Sequence, residues 1–139
     1  MMRKSILAVG AAAALCGAPS SAAVPVTGRW FTADRAAIVE VARCGQALCG
    51  RIARIVTADP GGATTDANNP SPALRRRPIL GLAILTGFVE DGDSWRGRIY
   101  DPRKGKTYKS IIARQPDGTL KVQGCIAFIC QTQVWARAG

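Results

Sequence analysis

Apolar and polar residues alternate along short stretches of this chain, and turn-forming residues separate the stretches. That period of two is the signature of half-buried strands. It predicts strands over 26–32, 37–44, 48–56, 79–88, 94–101, 106–114, 119–125 and 131–137. The fifth shows it most clearly, with Trp95, Gly97 and Ile99 on one side and Arg96, Arg98 and Tyr100 on the other. No stretch carries a long helical period. The punctuation has its own chemistry. Gly45-Gln46 starts one turn and Asp91-Gly92 is a strong hairpin signal. In Gln115-Pro116-Asp117-Gly118 the proline presets φ and the glycine accepts a positive one. Residues 57–78 are rich in Pro, Gly, Asn, Asp and Thr and predict a loop, long for so small a domain.

Short connections place sequence neighbours side by side and antiparallel. Eight such strands can close on themselves and so remove exposed edges. The expected fold is all-β, a small antiparallel eight-stranded up-and-down barrel; a β-sandwich or an open half-barrel is the second choice. The long loop is either a lid over the barrel mouth or a disordered segment.

The N-terminus changes the picture of where this domain works. Met1-Met2-Arg3-Lys4 is a basic start, 5–17 is apolar, and Ser21-Ala22-Ala23 supplies the small residues of a cleavage site. These are the parts of a secretory signal peptide. The apolar run is shorter than the roughly 20 residues that span a bilayer, so no membrane anchor is expected to remain. Leu15 before Cys16 argues against lipidation. The predicted division is therefore a cleavable signal peptide at 1–23 and one domain at 24–139, in a periplasmic or secreted protein. The chain has 19 Lys+Arg and 9 Asp+Glu. Losing Arg3 and Lys4 leaves 17 − 9 = +8. This balance favours anionic partners. After export these are an envelope lipid, a glycan or a small anionic ligand, and nucleic acid is not expected.

Four cysteines remain once Cys16 leaves with the signal: Cys44, Cys49, Cys125 and Cys130. An even count in a short exported chain implies disulfides. Each pair has the spacing C-x4-C, which suits a bridge across a hairpin neck and favours 44–49 with 125–130. Pairing between the two segments is the rival, because Cα separations decide. Zinc fits poorly: the spacing is wide and the chain has no histidine. No metal and no cofactor are expected.

Taken in order, several motifs resemble a secreted bacterial family known as domain of unknown function 2147. They are Gly28-Arg29-Trp30, Cys44 with Leu48-Cys49-Gly50-Arg51-Ile52, and Gly81-Leu82-Ala83-Ile84-Leu85. Trp95-Arg96-Gly97-Arg98-Ile99-Tyr100-Asp101-Pro102 follows, with Gly105-Lys106-Thr107-Tyr108 after it. Gly124-Cys125 and Cys130 precede Trp135 and Arg137 at the end. The resemblance implies a small exported β protein and supplies no activity, substrate or catalytic residue. The chain also resembles lipocalin-type barrels, which open on Gly-x-Trp with the indole packed beside an arginine from the chain end. That likeness assigns structural parts to Gly28, Trp30 and Arg137, with a cation–π contact at the barrel base.

Two basic segments are candidate binding sites. Arg75-Arg76-Arg77 could grip phosphate or carboxylate, since guanidinium forks bind such groups bidentately; otherwise it is a solvated run. Tyr100, Lys104, Lys106 and Tyr108 could form an anion-binding tip. The bland reading of that tip is a structural turn, with Asp101 accepting from amides, Pro102 setting φ and Gly105 left-handed. Gly105-Lys106-Thr107 matches the end of a phosphate-binding P-loop, but Tyr100 stands where its first glycine belongs. Trp30, Trp95 and Trp135 read as packing residues, with ligand stacking an alternative for Trp95 or Tyr100. Catalysis has little support: histidine is lacking, the thiols are expected oxidised, and Asp34, Glu40 and Asp101 show no acid–base spacing. The leading expectation is a non-enzymatic binding protein for a small or lipid-like anionic ligand at the barrel mouth. A protein-interaction or inhibitor module of the envelope is the alternative, and an envelope hydrolase the least favoured. Oligomeric state stays open.

Overall fold

The computed structural model describes residues 8, 10–12, 22–58, 62 and 64–139. Most of the expected signal peptide (1–23) lies outside the described residues. Among those described, no helix is long and apolar enough to cross a membrane. Eight strands follow one another: β1 Gly28–Phe31, β2 Ala37–Cys44, β3 Ala47–Ile55, β4 Ala83–Asp91, β5 Ser94–Asp101, β6 Lys106–Arg114, β7 Leu120–Ile126 and β8 Ile129–Arg137. Each pairs antiparallel with the next, and β1 returns to β8, closing an up-and-down barrel. The barrel is the expected architecture, and the sandwich and half-barrel fall away.

Antiparallel order sorts the connections into two ends. The turns at 32–36, 102–105 and 127–128, with the long connection 56–82, lie at one end, here called the mouth. The chain termini and the turns at 45–46, 92–93 and 115–119 lie at the other, the base.

Several strand bounds differ from the periodicity, β4 for one running past Phe88 to Asp91. β1 is only four residues long, and Val26 is fully buried without being in a strand. Its carbonyl accepts a 3.0 Å bond from Trp30 Nε1, so this segment crosses the base instead of extending the ladder. Residues 79–82 form a turn, and β4 begins at Ala83, because Gly81 adopts φ +86°. The β7–β8 hairpin is longer than expected, with a tip of only Ala127 and Phe128 and Ala127 at φ +51°.

The interior is filled from the base upward by Trp30, Trp135, Phe88, Leu85, Ile112 and Leu120, all at most 2% exposed. Arg137 lies over the Trp30 ring at 5.2 Å. A Cβ at Gly28 would come within 3.3 Å of that guanidinium, which is why a glycine serves there. Trp95 Nε1 donates to the Val24 carbonyl at 3.1 Å, fastening the N-terminal segment under the barrel.

Both disulfides are the hairpin bridges favoured by spacing. Cys125 and Cys130 are directly opposed in register, with Cα atoms 4.0 Å apart. Cys44 and Cys49 lie two rungs apart, opposite Ala47 and Ala42, with Cα atoms 5.5 Å apart. Such bonds persist in oxidising compartments and not in a reducing cytoplasm.

Candidate functional site at the barrel mouth

The mouth has a tied side and a parted side. On the tied side, the long connection folds back on the end of β5. By strand alternation Tyr100 shares the outer flank with Arg96 and Arg98, while Ile99 faces the interior. The Tyr100 hydroxyl donates a 2.5 Å bond to Oδ1 of Asp66, which is fully buried. Asn69 Nδ2 and the Arg77 guanidinium each reach Oδ2 at 2.9 Å. Arg77 also lies 5.8 Å from the Tyr100 ring centre. Burial works to raise the Asp66 pKa, but hydrogen bonds from Tyr100, Asn69 and Arg77 outweigh it, and the carboxyl stays below its ordinary value. Burial and the adjacent carboxylate push the Tyr100 phenol up. The described part of the loop around Asp66, Asn69 and Arg77 is thus pinned to the flank of the barrel by a satisfied charge.

The same connection also clasps the β5–β6 turn. Asn68 Nδ2 donates to the carbonyls of Pro102 and Arg103 at 3.3 and 3.1 Å. Arg103 pairs with Asp34 at 2.7 Å, joining the β1–β2 turn to the cluster. Burial tends to raise the Asp34 pKa, but the Ala36 amide, the Thr32 hydroxyl and Arg103 hold it at about 2. Asp101 Oδ1 accepts from the Arg103 amide at 2.9 Å, the turn role its position implied. Gly105 is left-handed at φ +63°, and a Cβ there would strike the Asn68 backbone carbonyl. Gly105→Ala is therefore expected to cost about 2–3 kcal/mol, from left-handed strain plus a displaced loop. Chemical denaturation checks the loss, and faster proteolysis within 64–79 checks the release of the loop.

On the parted side, β1 and β8 share only two rungs, Trp30↔Arg137 and Phe31↔Ala136. Above them β8 pairs with β7 alone. Interior-facing Gln131 and Gln133 are consequently exposed. Alternation puts Lys106, Tyr108 and Ser110 on the interior face of β6, in a row from rim to core. Ser110 lies between Gly97 and Gly124 in register and is 2% exposed. Its hydroxyl has no hydrogen-bond partner among the described residues. A buried hydroxyl left so is costly and calls for an explanation.

The sequence-derived candidates do not converge on one point. Arg75 Nε donates to the Asn69 carbonyl at 2.8 Å, Arg77 and Tyr100 are engaged with Asp66, and Arg76 is exposed. Trp95 is at the base end, away from the mouth. Lys104 and Lys106 are exposed on the rim, and Tyr108 is half-buried just below. Asp66, Asn69 and Ser110 were not singled out from the sequence. Only Ser110 had a readable signal, a polar residue in phase with Ile112 on a core-facing row. A shallow depression on the outer flank gathers Arg96, Arg98 and Lys109 around Thr86 and Gly87. Arg98 and Lys109 are directly opposed there, a like-charge pair that an anion would relieve.

Fold and mouth together define the class, an eight-stranded lipocalin-like barrel carrying two hairpin disulfides. The chain belongs to a bacterial family described as "Uncharacterized protein conserved in bacteria (DUF2147)", whose model matches residues 28–137. Among solved structures it is similar to a Helicobacter pylori protein, HP1028, described as belonging to the lipocalin family. That likeness has a TM-score of 0.73 and 24% identity, over 84% of each chain, and it shows the fold. No curated protein matches the chain.

Proposed function

We propose that this is an exported, non-enzymatic binding protein of the bacterial cell envelope, taking a small or lipid-like anionic ligand at the barrel mouth. The ligand enters where β1 and β8 part. Its acidic group meets Lys106, with Lys104 beside it on the rim. Its body lies against Tyr108 and Ile99, and a polar atom reaches the Ser110 hydroxyl. The observation that carries this reading is Ser110, a buried hydroxyl aimed into the interior below a cationic rim, without a partner among the described residues. Small-molecule sites join an apolar lining to a few placed polar groups, and Ile99, Tyr108 and Ser110 supply that combination. Arg75 and Arg77 support the site indirectly, by holding the loop that backs the rim.

Titration with a fluorescent anionic amphiphile, competed by fatty acids and lysophospholipids, tests the proposal. Ser110→Ala is expected to leave stability unchanged or raise it by up to about 1 kcal/mol, because it removes an unpaired buried hydroxyl. The same change should weaken ligand binding several-fold, and Lys106→Ala should weaken it while making it less sensitive to salt. Such opposite effects on stability and binding mark a site kept for function. Equal affinity of both variants and the unaltered protein would overturn the proposal. Native mass spectrometry of protein from the extracytoplasmic fraction reports the retained ligand and the loss of the first 23 residues together.

A further inference from the structure

The β7–β8 hairpin ends in an apolar tip that the barrel does not use. Phe128 is 102% exposed, Ile129 76% and Ile126 67%. The tip turn is only Ala127-Phe128, and the Cys125–Cys130 bridge closes it one rung below the Ile126↔Ile129 pair. This is a stiff wedge, so ordering it against a partner loses little further entropy. Single exposed apolar residues are ordinary, but three large ones on one stapled tip form a patch that marks an interaction surface.

Charge on the molecule is polarised along the barrel axis in the same sense. Exposed Arg54, Arg76, Lys104, Lys106 and Lys109 lie toward the mouth end, where the wedge projects. The acids of that end are largely spoken for: Asp66 is buried against Arg77, Asp34 is paired with Arg103, and Asp101 serves its own turn. At the base end Glu90, Asp91, Asp93 and Asp117 stand among Arg43, Arg96, Arg114 and Lys121, so opposite charges offset one another there. A negative surface would therefore attract the mouth end more strongly than the base.

We propose that the protein docks by its mouth end on an anionic lipid bilayer, with Phe128 inserted at the headgroup–acyl boundary and Ile126 and Ile129 beside it. An apolar wedge within a ring of lysine and arginine is the composition that binds such interfaces. A protein partner would be matched by the wedge alone; the cationic surround favours the bilayer. Docking and ligand capture share the rim lysines, but Phe128 takes no part in the proposed ligand site and Ser110 none in docking, so Phe128→Asp and Ser110→Ala let the two fail separately.

Flotation of the disulfide-bonded mature protein tests it, with vesicles of phosphatidylglycerol, of an equimolar phosphatidylcholine–phosphatidylglycerol mixture, and of phosphatidylcholine alone. Binding is expected to rise with phosphatidylglycerol and fall with salt. Phe128→Asp should weaken it by about tenfold or more, the loss of one large buried apolar side chain. Lys104→Ala with Lys109→Ala should weaken it roughly thirtyfold on the charged vesicles. Phe128→Trp should float as the unaltered protein does and gain blue-shifted emission quenched by brominated lipid. Thermal midpoints should match throughout, because Phe128 touches no core. Unaltered flotation of Phe128→Asp, or equal binding to all three vesicles, would overturn the proposal. So would failure to float combined with a dimer that Phe128→Asp dissociates, which would make the tip a contact between copies.

Discussion

Trp30→Ala is expected to destabilise the barrel by about 3–5 kcal/mol, the usual loss for truncating a large buried aromatic side chain. Trp30 is fully buried in the core cluster, with Val26 and Val39 beside it. Its indole N–H holds the Val26 carbonyl, and its face carries Arg137. Removal opens a cavity, orphans a buried carbonyl and frees the segment that crosses the base. It also strips one of the two rungs by which β1 closes on β8 of its large side chain. Small domains have roughly 5–15 kcal/mol in all, so the variant should be partly unfolded at physiological temperature. Trp30→Phe keeps most of the volume and loses the N–H, and about 1–2 kcal/mol is expected. Urea denaturation of the two variants tests this. A loss under about 1 kcal/mol for Trp30→Ala would mean that the indole does not organise the core.

Asp66→Ala is the second large effect, at about 2–4 kcal/mol. The substitution leaves the Tyr100 hydroxyl, the Asn69 amide and the Arg77 guanidinium without their shared acceptor. Partial exposure of Arg77 lets water recover some of the loss, which keeps the figure below that of a fully buried pair. Asp66 also sets a pH dependence. Its folded pKa is lowered, so the unfolded state binds the proton more readily. Its stabilisation is complete above the ordinary aspartate value of 3.8 and is lost as pH falls through the lower folded value. Asp34, held at about 2, acts in the same direction with a smaller share because it is more exposed. Urea midpoints should be level above about pH 5 and fall steeply below pH ~4. Asp66→Asn should flatten that fall. An identical acid limb in that variant would show that Asp66 is not the group being titrated.

Much of the fold could be read from residues close together in sequence. Alternation in Trp95, Gly97 and Ile99 sets the inner face of β5, and Asp91-Gly92 and Gln115–Gly118 set their hairpins. Gly28, Trp30 and Arg137 meet at the base as their resemblance to lipocalin-type barrels implied. The candidate site was less legible. Tyr100 was singled out for its basic surroundings, yet its partner is Asp66, a residue lost in a loop whose composition suggested a lid or disorder. Lys106 and Tyr108 read from the sequence as part of a tip. The structure shows that they begin an interior row ending in Ser110. Ile126 and Ile129 fall between the strands expected at 119–125 and 131–137, and periodicity gives no warning that they extend the hairpin with nothing packed on them.

By itself the sequence determined the run of strands and their order and favoured the two hairpin bridges, because alternation, turn dihedrals and C-x4-C spacing act over a few residues. Only the tertiary structure decided that Asp66 is buried under Tyr100, that β1 stops after four residues and leaves β8 half-paired, and that Phe128 stands clear of the barrel. Each of these depends on which distant segment arrives at a given surface. Burial, charge satisfaction and a missing neighbour are properties of that meeting, and no local pattern encodes them.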